Sequence, residues 1–402
     1  MIRFKQKPKP FGFFFFMLNL NDYQGIEDLL VQHNGQFLVF EDGKPKFVVA
    51  DPARFPNLFS PQQNSAGRIL VTGGAGYIGS HTVAALLKQD YDVLVLDNLS
   101  TGNAGSVPCQ LIVGDLSDTA LLDKIFSENN IEAVLHFAGS IIVEESVLFP
   151  EKYFQNNVVN SLNLLNSMVR HGVKKFIFSS SAAVYGEPQH VPIDEDHPKH
   201  PTNPYGETKL FFEKILSWYQ TSHDVSSVRL RYFNAAGASL DGTLGENRPF
   251  VTHLISKILR VAARQEEVLK IYGNDYPTSD GTAVRDYIHV ADLADAHVLA
   301  LAKLKKDQGS FAYNVGTGHG YSVAQMVNAA VEITGKMVMI EPAPRRPGDP
   351  AVLIADCSRI FRELGFKAQY SDLETIITTA WNWHKKIHKI EDKKIEVEKT
   401  LD

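Results

Sequence analysis

The chain has 402 residues, 44% of them apolar and 21% charged, with a formal charge of −6. That length provides for two or three domains with a large core, and the slight acidity gives no reason to expect a nucleic-acid or membrane partner. Cys109 and Cys357 are the only cysteines, far apart, which excludes a disulfide scaffold and a thiolate zinc site and suits a reducing cytosol.

Near the start, Arg3, Lys5, Lys7 and Lys9 precede the apolar run Phe11–Leu18. The pattern resembles a secretory leader, but no small-x-small cleavage site follows, and no apolar run approaches the roughly 20 residues that span a bilayer. The expectation is a cytoplasmic chain with no metal site, with Met17 an alternative translation start. Residues 22–31 read as a short helix beginning at Asp22. Residues 36–40 and 46–50 read as a hairpin around Asp42-Gly43, and Pro52, Pro56 and Pro61 mark a linker. Residues 1–66 are therefore set apart as an N-terminal extension, helix plus hairpin.

From Arg68 the texture changes. Residues 69–71, 93–96, 111–113, 133–137 and 175–178 are buried-strand candidates, apolar but for His136 and Lys175, with helical stretches such as 80–89 and 119–128 between them. Apolar strands alternating with helices predict an α/β fold with a doubly wound parallel sheet, Rossmann-like. Beyond residue 235, clusters of Gly, Pro and Asn separate the helices, as expected for a smaller α/β lobe over 236–384. Residues 385–402 are charge-rich and mixed in sign, a frayed, solvated helical tail.

The first strand runs into Thr72-Gly73-Gly74-Ala75-Gly76-Tyr77-Ile78-Gly79, a helix follows, and Asp97 closes the next strand. This is the context a dinucleotide fingerprint requires. Gly73 permits the tight turn, Gly76 lets backbone approach a pyrophosphate, Gly79 lets helix and strand pack closely, and the helix N-terminus offers free N–H groups. Asp97 would accept from the ribose hydroxyls and repel a 2′-phosphate. Asn98 rather than Arg follows it, so NAD is favoured over NADP. Asp115-Leu116, after the third strand, would meet the adenine, or Asp115 would cap the next helix. Phe137-Ala138-Gly139, after the fourth, would flank the nicotinamide half.

Ser179-Ser180-Ser181 follows the fifth strand, and Tyr205 and Lys209 lie four apart at the start of a helix, so their side chains share a face. A phenol near pKa 10 is a poor base at neutral pH; a nearby ammonium and an oxidised nicotinamide would both stabilise its anion. Ser181 could hold the same substrate oxygen.

These motifs resemble the extended short-chain dehydrogenase/reductase family over residues 68–384. Val71–His81, Leu96-Asp97-Asn98-Leu99, His136–Gly139, Arg231–Asn234 and above all the long run Tyr272–Val290 resemble, more narrowly, its UDP-glucose (UDP-galactose) 4-epimerase branch. The resemblance implies an NAD-binding domain over 67–235, a mainly substrate-binding lobe over 236–384, a homodimer and a UDP-sugar substrate. It implies that Tyr205 is the acid/base, Ser181 its partner, and Lys209 a cofactor ligand that tunes the tyrosine. Tyr77 and Ile78 would give backbone to the pyrophosphate, Asn156 would support the cofactor pocket, and Phe233 would lie near the nicotinamide. On the substrate side, Asn234 and Arg285 would contact the diphosphate. His253, Leu254, Ile271 and Tyr272 would lie beside the uracil, and Arg346 and Asp349 would meet phosphate and ribose. The implied reaction is redox-neutral: C4 of the sugar is oxidised to a 4-keto intermediate that turns over and is reduced on its other face, with NAD retained.

The sequence departs from the branch at several positions. Ile141 stands where some relatives have a cofactor-binding lysine, Ala183 where a threonine is common, and His253 where an asparagine flanks uracil. Leu353 aligns with a bulkier tyrosine, which would leave room for a 2-acetamido group and the N-acetylated sugar pair. Among rival readings, a 4,6-dehydratase needs an Asp-Glu pair where this chain has Ala182-Ala183. Another epimerase of the family and a non-catalytic NAD-binding protein are the further alternatives.

Overall fold

The computed structural model describes residues 36–41, 44–50, 67–248, 252–346 and 348–390, and the chain divides into two units, 1–66 and 67–402. In the first unit, β1 (Gln36–Glu41) and β2 (Lys44–Ala50) pair antiparallel from Gln36↔Ala50 to Glu41↔Lys44, the expected hairpin. The helix expected over 22–31, the linker and the Phe-rich start lie outside the described residues.

In the second unit, β3 (Arg68–Thr72), β4 (Val93–Asp97), β5 (Gln110–Val113), β6 (Ile131–His136), β7 (Lys175–Ser181) and β8 (Ser226–Tyr232) build the main sheet. Four short strands follow, β9 (Asn234–Ala236), β10 (Leu269–Tyr272), β11 (Val284–Arg285) and β12 (Tyr287–His289). The chain then returns to the main sheet with β13 (Ser310–Val315), parallel to β8. The sheet order is β13-β8-β7-β6-β3-β4-β5, all parallel. The expected doubly wound sheet is thus present. Winding reverses between β3 and β6, so the crevice beyond their carboxyl ends is the switch point at which such sheets bind ligands.

The strands read as apolar runs because both faces are covered. On β3, Ile69 and Val71 point to one face and Leu70 to the other, all fully buried. The first face packs on α1 (Tyr77–Lys88), through Val83 and Leu86, and on a later helix at Leu293, Ala296 and Ala300. The second packs on α2 (Thr119–Glu128), whose Leu122, Ile125 and Phe126 form one stripe. Each such side chain contributes about 1.5–3 kcal/mol by leaving water. At the sheet margin β5 differs from expectation: Val113 is 62% exposed, because an edge strand has a neighbour on one side only.

The remaining helices are α3 (Val143–Leu148), α4 (Pro150–Phe154), α5 (Ser161–Arg170), α6 (Pro204–His223), α7 (Leu254–Ala262), α8 (Val290–Lys306), α9 (Val323–Thr334), α10 (Ser358–Leu364) and α11 (Leu373–His388). The single π-helical turn among the described residues, Gln155–Asn160, joins α4 to α5. A separate core unites Ile255, Ile258 and Leu259 of α7 with Met326 and Val327 of α9 and with Ile376, Ile377 and Trp381 of α11. Of the charged tail, α11 continues to His388; residues beyond 390 lie outside the described residues. No helix among the described residues is long and apolar enough to cross a membrane.

Candidate active site

The glycine turn has the geometry its spacing requires. Gly73 has φ +73°, and a Cβ there would lie 2.5 Å from the backbone nitrogen of Ala138. One on Gly79 would lie 2.2 Å from the Gly73 carbonyl. Only glycine lets the β3 and β6 exits and the first turn of α1 approach so closely. Gly76 is the N-cap of α1; no side chain caps the helix and no acidic residue lies in its first turn. The N-terminus therefore keeps donors for an anion.

Asp97, at the end of β4, accepts from the backbone N–H groups of Ala75 (2.9 Å) and Leu99 (2.8 Å), tying the next strand end to the glycine turn. Asn98 donates to Asp115 at 2.7 Å, and Asp115 also accepts from Ser117 N–H. These bonds hold the Asp115 carboxyl below its usual range, although burial opposes them. The N-cap of α2 is Asp118 rather than Asp115. Leu116 is buried, and its carbonyl accepts from Asn163. At the β6 exit, Phe137 and Ala138 donate to the Thr72 carbonyl. Gly139 faces Asn157, whose amide clamps Ser140 N–H (2.7 Å) and carbonyl (2.9 Å), while Asn156 donates to Ser140 Oγ. Both asparagines sit on the π turn, a device that re-aims side chains at functional sites. A backbone cradle, an uncapped helix N-terminus and a carboxylate one strand away suit a dinucleotide.

Across the crevice, Ser181 ends β7, its Oγ accepting from Ala183 N–H at 3.2 Å. Asn203 caps α6 and Pro204 opens it, which places Tyr205 in the first turn. The Ser181 hydroxyl acts on the Tyr205 phenol, favouring its anion. Lys209, one turn on, lies 5.8 Å from the Tyr205 ring centroid and donates to the Ser179 carbonyl at 2.8 Å. Burial pushes the Lys209 ammonium down to about 8, against the pull of Glu213. Tyr205 departs from expectation in one respect: burial raises its pKa above 10, and the Ser181 hydroxyl and the Arg248 charge only partly offset this. The ammonium is engaged on a carbonyl of β7, and further positive charge must come from elsewhere to reach the phenolate.

Beneath the serine run lies a buried network. Glu213 binds Arg231 through two bonds of 2.9 and 2.6 Å and accepts from Ser180 Oγ at 2.5 Å. Arg231 also donates to Tyr185, which donates to Asn314 of β13 at 2.6 Å. This fixes β7, α6, β8 and β13 relative to one another behind Ser181.

The other group of sequence candidates is more open. Asn234 begins β9, and Phe233 and Leu353 both pack against the small buried cluster of Ala182, Val184, Tyr185, Ile193 and Leu210. Arg285 pairs with Asp349, and Arg346 lies 2.9 Å from Glu144 and 4.0 Å from the Tyr272 ring centroid. Leu254 is the first residue of α7 after the N-cap His253, whose Nδ1 lies 2.7 Å from Glu246 Oε1. Ile271 points into the lobe core. Sequence reasoning missed Asn157, Glu213 and Arg248. The first two look like ordinary helix residues, and Arg248 looks like a surface charge in a glycine-containing loop.

Residues 69–316 match the model of the NAD dependent epimerase/dehydratase family. The chain is 50% identical over 318 residues to a UDP-glucose 4-epimerase of Halalkalibacterium halodurans, covering 79% of this chain and 95% of that one. The crystal structure of UDP-glucose 4-epimerase from Brucella ovis in complex with NAD is 46% identical, with a TM-score of 0.77 over 79% of this chain and 98% of that one. The UDP-Glc/GlcNAc 4-epimerase of Campylobacter jejuni is 44% identical, with a TM-score of 0.70 over 80% of this chain and all of that one. The fold, the glycine turn and these likenesses agree: the chain belongs to the NAD dependent epimerase/dehydratase family.

Proposed function

We propose that this chain is an NAD-dependent isomerase that interconverts UDP-galactose and UDP-glucose at sugar C4, with Ser181, Tyr205 and Lys209 as its catalytic residues. The observation that supports the reading is that these three side chains share the end of β7 and the first turns of α6, with Lys209 Nζ close to Gly139 at the β6 exit. In this reading residues 67–235 chiefly hold NAD and residues 236–384 chiefly hold the UDP-sugar. The glycine turn and the N-terminus of α1 receive the diphosphate, Asp97 the ribose, Asp115 and Leu116 the adenine side, and Phe137–Gly139, Asn156 and Phe233 the nicotinamide side.

NAD, when bound, supplies the hydride acceptor and donor at C4. Tyr205 takes the proton of the sugar 4-hydroxyl and later returns it to the 4-keto oxygen, which Ser181 Oγ holds throughout. Lys209 anchors this end of the pocket and supplies positive charge beside the phenol. Arg285 and Arg346 would exchange their carboxylate partners for the UDP diphosphate, which their planar forks suit. Leu353, packed against the same cluster as Phe233, favours acceptance of the N-acetylated pair as well. Exposed Val147, Leu148, Phe149 and Phe154 with Phe211 and Trp218 of α6 support a homodimer, and the cysteine usage supports a cytoplasmic location.

The test is conversion of UDP-galactose to UDP-glucose by the purified chain without added NAD, followed chromatographically. Conversion is expected, with NAD recovered from the denatured protein; a chain that carries NAD but leaves UDP-galactose unchanged defeats the epimerase reading. UDP-N-acetylglucosamine in the same assay tests the Leu353 argument.

A further inference from the structure

Resting on the reading that NAD is bound over the glycine turn, the geometry points to Arg248 as a further cofactor-binding residue, its guanidinium gripping the dinucleotide's diphosphate. A diphosphate carries two negative charges. The turn from Thr72 to Ser80 and the β6 exit from Phe137 to Ile142 contain no lysine or arginine, so both offer backbone dipoles without a full positive charge. Lys209 is engaged at the catalytic end, on the Ser179 carbonyl.

Arg248 is placed to supply that charge. Together with Asn247 it lines a cavity of about 360 Å³ whose other wall is the 99–104 loop. That loop follows Asp97 directly, and Gly102 lies against the Asp97 carboxylate, so the cavity begins at the ribose end of the dinucleotide site. The positive field of Arg248 also reaches Tyr77, in the first turn of α1, and Tyr205 and Tyr232 at the catalytic end. A cation that shares this cavity with the ribose loop, and whose field reaches the first turn of α1, stands where the diphosphate linking the two nucleosides would pass.

The side chain is built to be there. It is only 15% exposed, yet its guanidinium makes no hydrogen bond among the described residues, and its nearest carboxylate oxygen, Glu246 Oε1, is 3.6 Å from Nε. A half-buried, always-charged fork with unused donors suits an anion. Glu246 is itself anchored, with Ser256 donating to one oxygen, His253 beside the other and Trp383 donating to its carbonyl. It is a positioning residue that aims Arg248. The two candidate substrate arginines have carboxylate partners of their own, Asp349 and Glu144.

The test compares NAD carried per purified chain, and its rate of loss into NAD-free buffer, for the native protein, Arg248→Gln and Arg248→Lys, with UDP affinity measured separately by calorimetry. Loss of NAD about 30-fold faster is expected for Arg248→Gln. An intermediate rate is expected for Arg248→Lys, which keeps the charge without the fork, and UDP affinity should be unchanged in both. NAD retention equal to native with weakened UDP binding would assign the guanidinium to the sugar nucleotide's diphosphate and overturn the inference. Equal retention with unchanged UDP binding overturns it as well. If Arg248→Gln does not fold, native-like NAD retention in Arg248→Lys overturns it alone. A native chain that neither carries nor takes up NAD defeats the cofactor reading itself, before any variant is compared.

Discussion

The two halves of the crevice are built on different physical terms. The half assigned to the cofactor is organised by backbone and buried groups: Gly73 in a left-handed turn, Asp97 bonded to two N–H groups, Lys209 3% exposed, and Glu213 and Arg231 locked together at 4–5% side-chain exposure. The half assigned to the sugar nucleotide is organised by charged side chains that lie nearer the surface, although Arg285 itself is only 11% exposed. Arg346 is 38% exposed and its partner Glu144 62%, while Asp349 opposite Arg285 is 31% exposed. Buried groups that already have their partners hold one geometry and suit a group that stays. An exposed ion pair such as Arg346–Glu144 contributes little to stability and exchanges readily, which suits a ligand that must enter and leave on every turnover.

The sharpest test of this contrast is at the reacting atom. Tyr205→Phe should lower turnover by about a hundred- to ten-thousand-fold, while leaving bound NAD and UDP affinity near native. Near-native turnover would remove Tyr205 from the chemistry. Next is the buried network: Glu213→Gln leaves the Arg231 charge buried with half its partner gone, and the expected loss is about 3 kcal/mol of stability. A thermal midpoint equal to the native one would show that the network does not hold the serine run. On the open side, Arg285→Ala should raise the KM for UDP-galactose about tenfold, with little change in kcat or thermal midpoint. A large drop in the thermal midpoint instead would place Arg285 with the structural groups and erase the contrast.

The smallest expected effect is with pH. Lys209, lowered to about 8, loses its proton as pH rises through that value, so turnover should decline a few-fold across it. Stability should move the other way. Between about pH 8 and 10.5 the unfolded chain still binds a proton at this lysine that the folded chain has released. The contribution of Lys209 to stability therefore rises with pH across that window. Turnover that stays flat from pH 7 to 10 would show that the ammonium does not assist the phenol.

Much of the cofactor half was legible from sequence because its determinants are local. A turn that needs φ above zero demands glycine at Gly73, a strand followed by a helix supplies the N–H cradle, and four-residue spacing puts Tyr205 and Lys209 on one helix face. The edge position of β5 was not legible. Val113 is as apolar as its neighbours, and exposure depends on whether another strand lies beyond it. Asn157 was hidden because a π turn, not the residue type, aims it at Ser140. The return of β13 to the main sheet lay in a stretch whose irregular texture reads as part of a second lobe.

Sequence by itself determined the parallel α/β class, the glycine turn and its acidic partner, and the serine, tyrosine and lysine of the catalytic reading. Each is a short-range pattern whose geometry follows from helix and strand periodicity. Only the tertiary structure decided that Glu213 and Arg231 meet beneath the serine run, that the candidate arginines of the open half hold carboxylates, and that Arg248 stands beside the ribose loop with no hydrogen bond among the described residues. Such meetings join residues that are distant along the chain or carried by irregular loops. Ion pairs and buried cations have no periodicity to betray them, and their partners are set by how the sheet and its helices pack.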